Sequence, residues 1–388
     1  MFSDRVPPLD EPNAYTLALN AARLAGAPLL DLASFDPTRA GLSPLAEARA
    51  ILAAQSLPAH APEPLGDPAA RAAVAEALRE AAPALSADQV VLTASTSDSD
   101  AQLFRLLCDP GDAVLLPSPS YPLFEPIARA EGVRAIPYRL AFDGAWHLDR
   151  AVFAQAAAQP GVRAIVTVEP NLPTGSMLDA ADRACMRDTA AQHGLAIIAD
   201  EVFRAHAWPG HAPLPSWLVE TDVLTFVLGG LSKHCGLPQL KLGWIAVTGP
   251  PPLTRQALAR LEWLCDLALS VNAPVQHAAP ALLALHEPFV ARVGQRVAEN
   301  RATLDRACAS HPALQRLPGV GGWAAVVRVP ELESDEALAI RAILRGLIVH
   351  PGQLYDLAPG AHFVLSLITD PLTFARGVGE LAGMFAGV

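Results

Sequence analysis

Between Val90 and Val247 the chain repeats one pattern: a short apolar run, a turn, then a stretch with helical periodicity. Apolar runs bounded by turn residues read as buried strands, and the helical stretches between them read as crossovers. The expected strands are 90–93, 113–116, 133–138, 164–168, 195–199, 223–228 and 242–247, with helices at 69–82, 97–108, 121–131 and 179–193. Such an alternation builds βαβ units, which give a mostly parallel, seven-stranded sheet flanked by helices. From about 252 to 310 the pattern turns helical, broken near Pro274 and Pro288. Strands at 324–328, 346–350 and 362–367 then mix with helices at 335–345 and 371–384, which reads as a smaller α+β lobe. The fold class is therefore α/β.

The bulk numbers agree with a large packed core. The chain has 388 residues, 52% of them hydrophobic and only 17% charged, a balance that excludes disorder. A net charge of −11 argues against nucleic acid as a partner. No apolar stretch reaches membrane-spanning length, and the start lacks a basic segment followed by an apolar run. Five scattered cysteines fit reduced thiols in a cytoplasmic protein better than a disulfide framework or a zinc site.

Of 28 basic residues only two are lysines, Lys233 and Lys241, both in Gly229-Gly230-Leu231-Ser232-Lys233-His234-Cys235-Gly236-Leu237-Pro238-Gln239-Leu240-Lys241-Leu242-Gly243-Trp244. Arginine serves for surface charge and bidentate pairing, but it does not readily lose a proton to form a Schiff base. One of the two is thus a candidate nucleophilic amine; chance survival in a lysine-poor composition is the competing reading. Asp200 ends the apolar run Ile197-Ile198-Ala199, at the carboxyl edge of a strand where ligands of open α/β sheets gather. A carboxylate buried there needs a partner, and a protonated ring nitrogen would supply one; capping the next element is the alternative. Ser95, Thr96 and Ser97 join a strand to a helix and offer N–H groups to a phosphate, although an ordinary N-cap looks the same. Tyr121 sits at another such junction, placed either to stack on a planar ligand or simply to pack.

In order along the chain, the turn at 95–97, Pro-Gly-Asp at 110–112, Pro-Ser-Tyr-Pro at 119–122, Pro-Thr-Gly at 173–175, Asp-Glu-Val-Phe at 200–203, Ser-Lys at 232–233 and Gly-Trp at 243–244 resemble the class I/II pyridoxal-phosphate-dependent aminotransferases. These belong to the aspartate aminotransferase superfamily of fold type I, of which this chain looks like a divergent member. The resemblance runs from about residue 30 to 385. It implies an N-terminal segment (1–50) packing with the small domain, a large cofactor-binding domain (51–275) and a C-terminal small domain (276–388). It implies pyridoxal 5'-phosphate as cofactor and a homodimer, with Ser270-Val271-Asn272 approaching the partner's site. Lys233 resembles the Schiff-base lysine and catalytic base, and Asp200 the carboxylate on the ring nitrogen. Ser95, Thr96 and Ser97 match the phosphate turn, Tyr121 the stacking aromatic, and Lys241 a phosphate-binding position usually held by arginine.

Several positions depart from that pattern. Leu172 and Phe203 stand where an asparagine and a tyrosine usually reach the cofactor's phenolate oxygen, with Asn171 one place early. Gly230 replaces a serine, and His60 stands where a tyrosine often reaches the neighbouring subunit's phosphate. Val364, in Phe363-Val364-Leu365-Ser366, stands where an arginine usually clamps the substrate's carboxylate. Arg39 and Arg204 are the candidate replacements, with solvated surface arginine as the plainer reading of each. The resemblance implies transfer of an amino group from a small-molecule donor to a 2-oxo acid or another carbonyl acceptor. Non-transaminating chemistry on the same cofactor (a lyase, a β- or γ-replacement enzyme, a cyclase or an oxidase) is the alternative. A non-catalytic cofactor-binding protein is a third.

Overall fold

A computed structural model describes residues 2–8, 11–56, 59–212, 214–357 and 359–386. The apolar runs of the first 250 residues line up in one sheet. Its order is Val90–Thr93, Gly243–Thr248, Thr225–Gly230, Ala196–Asp200, Val162–Val168, Ala113–Ser118, Arg134–Phe142 and Trp146–Leu148. The five strands in the middle of that order, from Thr225–Gly230 to Arg134–Phe142, run parallel. Gly243–Thr248 is antiparallel to both its neighbours. The sheet has eight strands where the apolar runs predict seven. The extra one, Trp146–Leu148, is a three-residue arm that folds back on Arg134–Phe142 after the Asp143-Gly144 turn and is too short to carry a periodic signal.

Both faces of this sheet are buried, as a crossover sheet requires. Ile197, Ala199 and Val227 face one cluster with Leu231 and Trp244, while Ile198, Phe226 and Ile245 face the other with Leu103 and Phe104. Pro274 and Pro288 lie within the first turns of the helices Ala273–Leu283 and His286–Ser310, so they start helices rather than interrupt one. A proline N–H is dispensable there. Ala273–Leu283 packs its Val275, Ala278 and Leu282 into the large-sheet core, whereas Phe289, Val293 and Val297 of the next helix join the core of the smaller lobe.

That lobe holds a four-stranded antiparallel sheet in the order Gln315–Arg316, Ala324–Val329, Ala361–Ser366, His350–Pro351. The chain's beginning is sewn onto it. Leu30–Asp31 pairs in parallel with Leu347–Ile348, the Tyr15 hydroxyl donates to the Val349 carbonyl at 2.9 Å, and Ser366 N donates to the Leu32 carbonyl at 2.7 Å. This stitching carries the next stretch to where the Asp36 carboxylate acts on the Lys233 ammonium.

Candidate active site

The strands deliver their last residues to one edge. Asp200 ends one strand and Gly230 another, while Thr93 and Gly230 flank Gly243 from opposite sides in register. Glycine at 229 and 230 follows from packing. A Cβ on Gly229 would meet the Trp244 indole at 2.5 Å, and one on Gly230 would press the Leu242 carbonyl at 3.1 Å. The serine that the resemblance implies at 230 is therefore sterically disfavoured. Lys233 follows in a single helical turn, Leu231–His234.

The Lys233 ammonium sits among aromatic faces, its Nζ 4.8 Å from the ring centre of Trp323 and 5.7 Å from that of Phe203. Burial lowers its pKa to about 8, against the raising effect of the Asp200 and Asp36 carboxylates. It makes no hydrogen bond among the described residues, and a fraction of the amine, about a tenth, is free of its proton at neutral pH. Asp200 is buried, with Oδ1 accepting from Val202 N at 3.0 Å. Burial raises its pKa to about 6, while the Val202 N–H and Lys233 pull it back down. A cationic ring nitrogen against this carboxylate would relieve that penalty.

The turn before the helix Thr96–Leu107 is closed by side chains. Ser95 Oγ accepts from Asp98 N at 3.1 Å, and Asp98 Oδ2 accepts from Ala94 N at 2.9 Å. A first turn cannot satisfy its own N–H groups. Thr96 and Ser97 therefore keep N–H groups without acceptors among the described residues, at the positive end of the helix. Ser95 Oγ takes the cap bond as acceptor, and its hydroxyl hydrogen has no acceptor among the described residues. The side chain of Ser97 lies by the Tyr121 hydroxyl, which burial raises with help from the charges of Asp200 and Asp100. Lys241 is exposed in a left-handed backbone conformation, φ 54° and ψ 59°, two residues before Gly243, where an added Cβ would lie 3.0 Å from the Ser95 backbone. Lys241 thus stands beside the turn.

Other sequence candidates lie elsewhere or are already engaged. Asn171 is buried, and its Nδ2 donates to the Pro119 carbonyl at 3.1 Å and to Thr174 Oγ1 at 3.0 Å. Both amide hydrogens are engaged within the loop. Phe203 forms a wall against Trp323 at 5.3 Å and donates nothing. Arg204 faces Glu201 at 3.4 Å, and Arg39, 74% exposed, reaches Asp36 at 3.9 Å. His60 is exposed in a loop that borders a cavity of about 530 Å³ together with Ser270 and Val271. Three residues at the site carry no motif. Asp36 arrives through the N-terminal stitching, Trp323 from the small sheet, and Asp100 from inside the helix Thr96–Leu107. Of the three only Trp323 follows a local signal, the glycine pair Gly321-Gly322; nothing local marks the others.

The aminotransferase class I and II family model matches residues 28–363. The chain belongs to the class I and II aminotransferases. It is 27% identical over 296 residues to an alanine aminotransferase of Mycobacterium bovis, covering 74% of this chain and 68% of that one. It is 28% identical over 194 residues to the glutamate-pyruvate aminotransferase of Escherichia coli, covering 49% and 47%. Among solved structures, an alanine aminotransferase from Pyrococcus furiosus superposes with a TM-score of 0.86 at 20% identity, over 96% of each chain. An aminotransferase from Escherichia coli does so with a TM-score of 0.85 at 20% identity, over 98% and 99%. In this aminotransferase no helix among the described residues is long and apolar enough to cross a membrane, and no cluster of metal-binding side chains occurs among them.

Proposed function

We propose that this aminotransferase binds pyridoxal phosphate through Lys233, Asp200, Tyr121, Lys241 and the N–H groups of Thr96 and Ser97. We propose further that Lys233 moves the proton at the substrate's amino carbon. The residues suit that cofactor: an unpaired amine, a buried carboxylate seeking a cation, and a helix start with free donors. When bound, the cofactor supplies an electron-withdrawing ring that takes up the charge left at the amino carbon. Asp200 holds the ring nitrogen's proton, Tyr121 covers one ring face, and Lys241 with the helix start holds the phosphate. Lys233 serves as the base because burial brings its pKa near working pH. Trp323 and Phe203 exclude water from that proton's path.

The observation that carries this reading is the depressed lysine facing a buried carboxylate across one strand edge. The amino group passes to a 2-oxo acid or another carbonyl acceptor, as in the relatives named for alanine and for glutamate and pyruvate. A homodimer is the working state we favour. Trp263 and Leu267 are 65% and 68% exposed on the helix that leads into Ser270–Asn272, a large apolar area to leave in water. A cytoplasmic setting fits five unpaired cysteines. The test is the visible band of the protein mixed with pyridoxal phosphate. A band absent from Lys233→Ala, with oxo product and no ammonia released from a donor, is expected; ammonia release in its place points to elimination. Light scattering that gives one chain's mass would refute the dimer.

A further inference from the structure

We infer that Trp323 is a positioning residue: its indole N–H pairs with His206 Nδ1, directly or through one water, and so lets the small lobe hold the backbone of Lys233. Its bearing on the reaction rests on the reading of Lys233 given above; the pairing itself does not.

The main chain brings the two side chains together. The strap Gly319–Gly322, which leads into the small sheet, is bonded to the loops around Asp200 and Thr174. Val320 N donates to the Gly175 carbonyl at 2.7 Å, Trp208 N to the Val320 carbonyl at 2.8 Å, and Gly322 N to the His206 carbonyl at 2.9 Å. The Trp208 indole N–H adds a bond to the Gly322 carbonyl at 2.9 Å. Only glycine lets the strap lie so close. A Cβ on Gly321 would meet Pro170 at 2.7 Å, and one on Gly319 the Thr174 carbonyl at 2.7 Å. Trp323 follows directly, so its ring is set beside a histidine whose own carbonyl the preceding residue binds.

Both rings are buried, and each has one polar atom without a partner among the described residues: Nε1 of Trp323 and Nδ1 of His206. Buried ring nitrogens are seldom left unpaired. Trp323 Nε1 can only donate. His206 Nδ1 accepts, because the one proton of the neutral imidazole is on Nε2, which donates to the Lys233 carbonyl at 2.8 Å. The ring centres are 5.0 Å apart at an interplanar angle of 73°, so the ring edges lie within the span of one hydrogen bond or one bridging water. The other described neighbours of the two rings do not serve. Phe203 and Phe289 pack on both and carry no polar side-chain atom. Lys233 Nζ lies over the Trp323 ring, whereas the indole N–H points outward in the ring plane. A donor on Nδ1 fixes the tautomer that keeps the proton on Nε2, and with it the bond to Lys233.

The experiment uses the full chain with isotope-labelled tryptophan and histidine ring nitrogens, read by NMR before and after loading with pyridoxal phosphate. The chain has six tryptophans. Trp323→Phe keeps an aromatic ring and removes the N–H, which identifies the Trp323 indole signal. That signal should lie downfield in the wild type and move upfield in His206→Ala. In Trp323→Phe the His206 Nδ1 signal should move toward that of an unbonded ring nitrogen. In borohydride trapping with pyridoxal phosphate, each single variant should slow the reaction of Lys233 several-fold. The double variant should be no slower than the slower single one, because both changes break one connection. An indole signal unmoved by His206→Ala, or losses that multiply in the double variant, overturns the inference. So does a signal that moves on adding pyridoxal phosphate and not in His206→Ala, since the N–H then faces the cofactor. A protein with the paired signals that forms no visible band with pyridoxal phosphate defeats the reading of Lys233 and leaves the pairing standing. Should Trp323→Phe fail to fold, dipolar contacts between the indole proton and the His206 ring make the assignment, and His206→Ala carries the test.

Discussion

His206 Nε2 donates to the main-chain carbonyl of Lys233 at 2.8 Å, so the imidazole holds the backbone of the reactive lysine. The ring is buried against Trp323 at 5.0 Å and Phe289 at 5.9 Å, and its Nδ1 has no partner among the described residues. Burial lowers its pKa to about 4, so it is neutral at working pH; its single N–H must sit on Nε2 for this bond to form.

Removing that donor should loosen the lysine and destabilise the protein. His206→Ala leaves a buried carbonyl unpaired, a loss of about 1–3 kcal/mol. kcat should fall further than KM rises, and His206→Asn, which keeps a donor, should recover part of it. The pH dependence has a definite sign. The folded pKa lies below the unfolded value, so this residue's contribution is intact above pH 6.5 and is lost as pH falls toward 4. Glu201 and Asp200, raised to about 7 and 6, slope the other way. The diagnostic is therefore the difference between wild type and His206→Ala in urea unfolding at pH 7, 5.5 and 4.5, which should shrink on acidification.

Lys233 should react as an amine of pKa about 8, not 10.5, in the cofactor-free protein. With Lys241 the only other lysine, borohydride trapping with pyridoxal phosphate followed by peptide mass measurement reads each site separately. The Lys233 trapping rate should rise with a midpoint near pH 8. In Asp200→Asn that midpoint should move lower, because a charge that favours the ammonium is gone. A midpoint near 10.5 would mean the amine is solvated.

Lys241 separates phosphate binding from everything else at the site. It is exposed, in a backbone conformation that side chains rarely adopt, two residues before Gly243, which packs against the Ser95 backbone. Lys241→Ala should weaken pyridoxal phosphate binding by tenfold or more, in line with about 1.5–3 kcal/mol for a hydrogen bond to a charged group. Binding of pyridoxal, which lacks the phosphate, should not change. Equal losses for both ligands would show that the substitution disturbs the turn instead of removing an anchor.

The sequence makes the strand-edge residues legible because each combines a periodic apolar run with a chemically marked end: Asp200 after Ile197–Ala199, Lys233 after Gly229-Gly230. Three of the four expected flanking helices are legible to within a turn for the same reason, while the one expected at 69–82 ends at Ala77. Asp36 is not. Its placement depends on a two-residue strand, Leu30–Asp31, pairing with Leu347–Ile348, and a contact across that much chain leaves no local trace. The partners of Asn171, the Pro119 carbonyl and Thr174, are likewise invisible in the sequence, because they reach it only after the loops meet. Asp100 carries no signal either: an acidic residue one turn into a polar helix start looks the same in sequence whether buried or solvated.

Asp100 is in fact 2% exposed, and its Oδ1 has no hydrogen-bond partner among the described residues. Burial raises its pKa well above the ordinary value, and the charge of Asp200 adds to that. A carboxyl so placed is protonated in the folded protein at pH values where it is ionised in the unfolded chain. The sign follows from linkage. The folded pKa lies above the unfolded one, so the group's contribution is intact below pH 3.8 and is progressively lost as pH rises toward the folded value. Asp100→Asn replaces it with a neutral side chain of nearly the same shape that does not titrate. The variant should match wild type in urea unfolding at pH 4 and exceed it by a growing margin at pH 5.5 and 7. If instead the variant loses stability at neutral pH, Asp100 is ionised and paired, and Asp100 and Asp200 together carry one more negative charge than assigned to them.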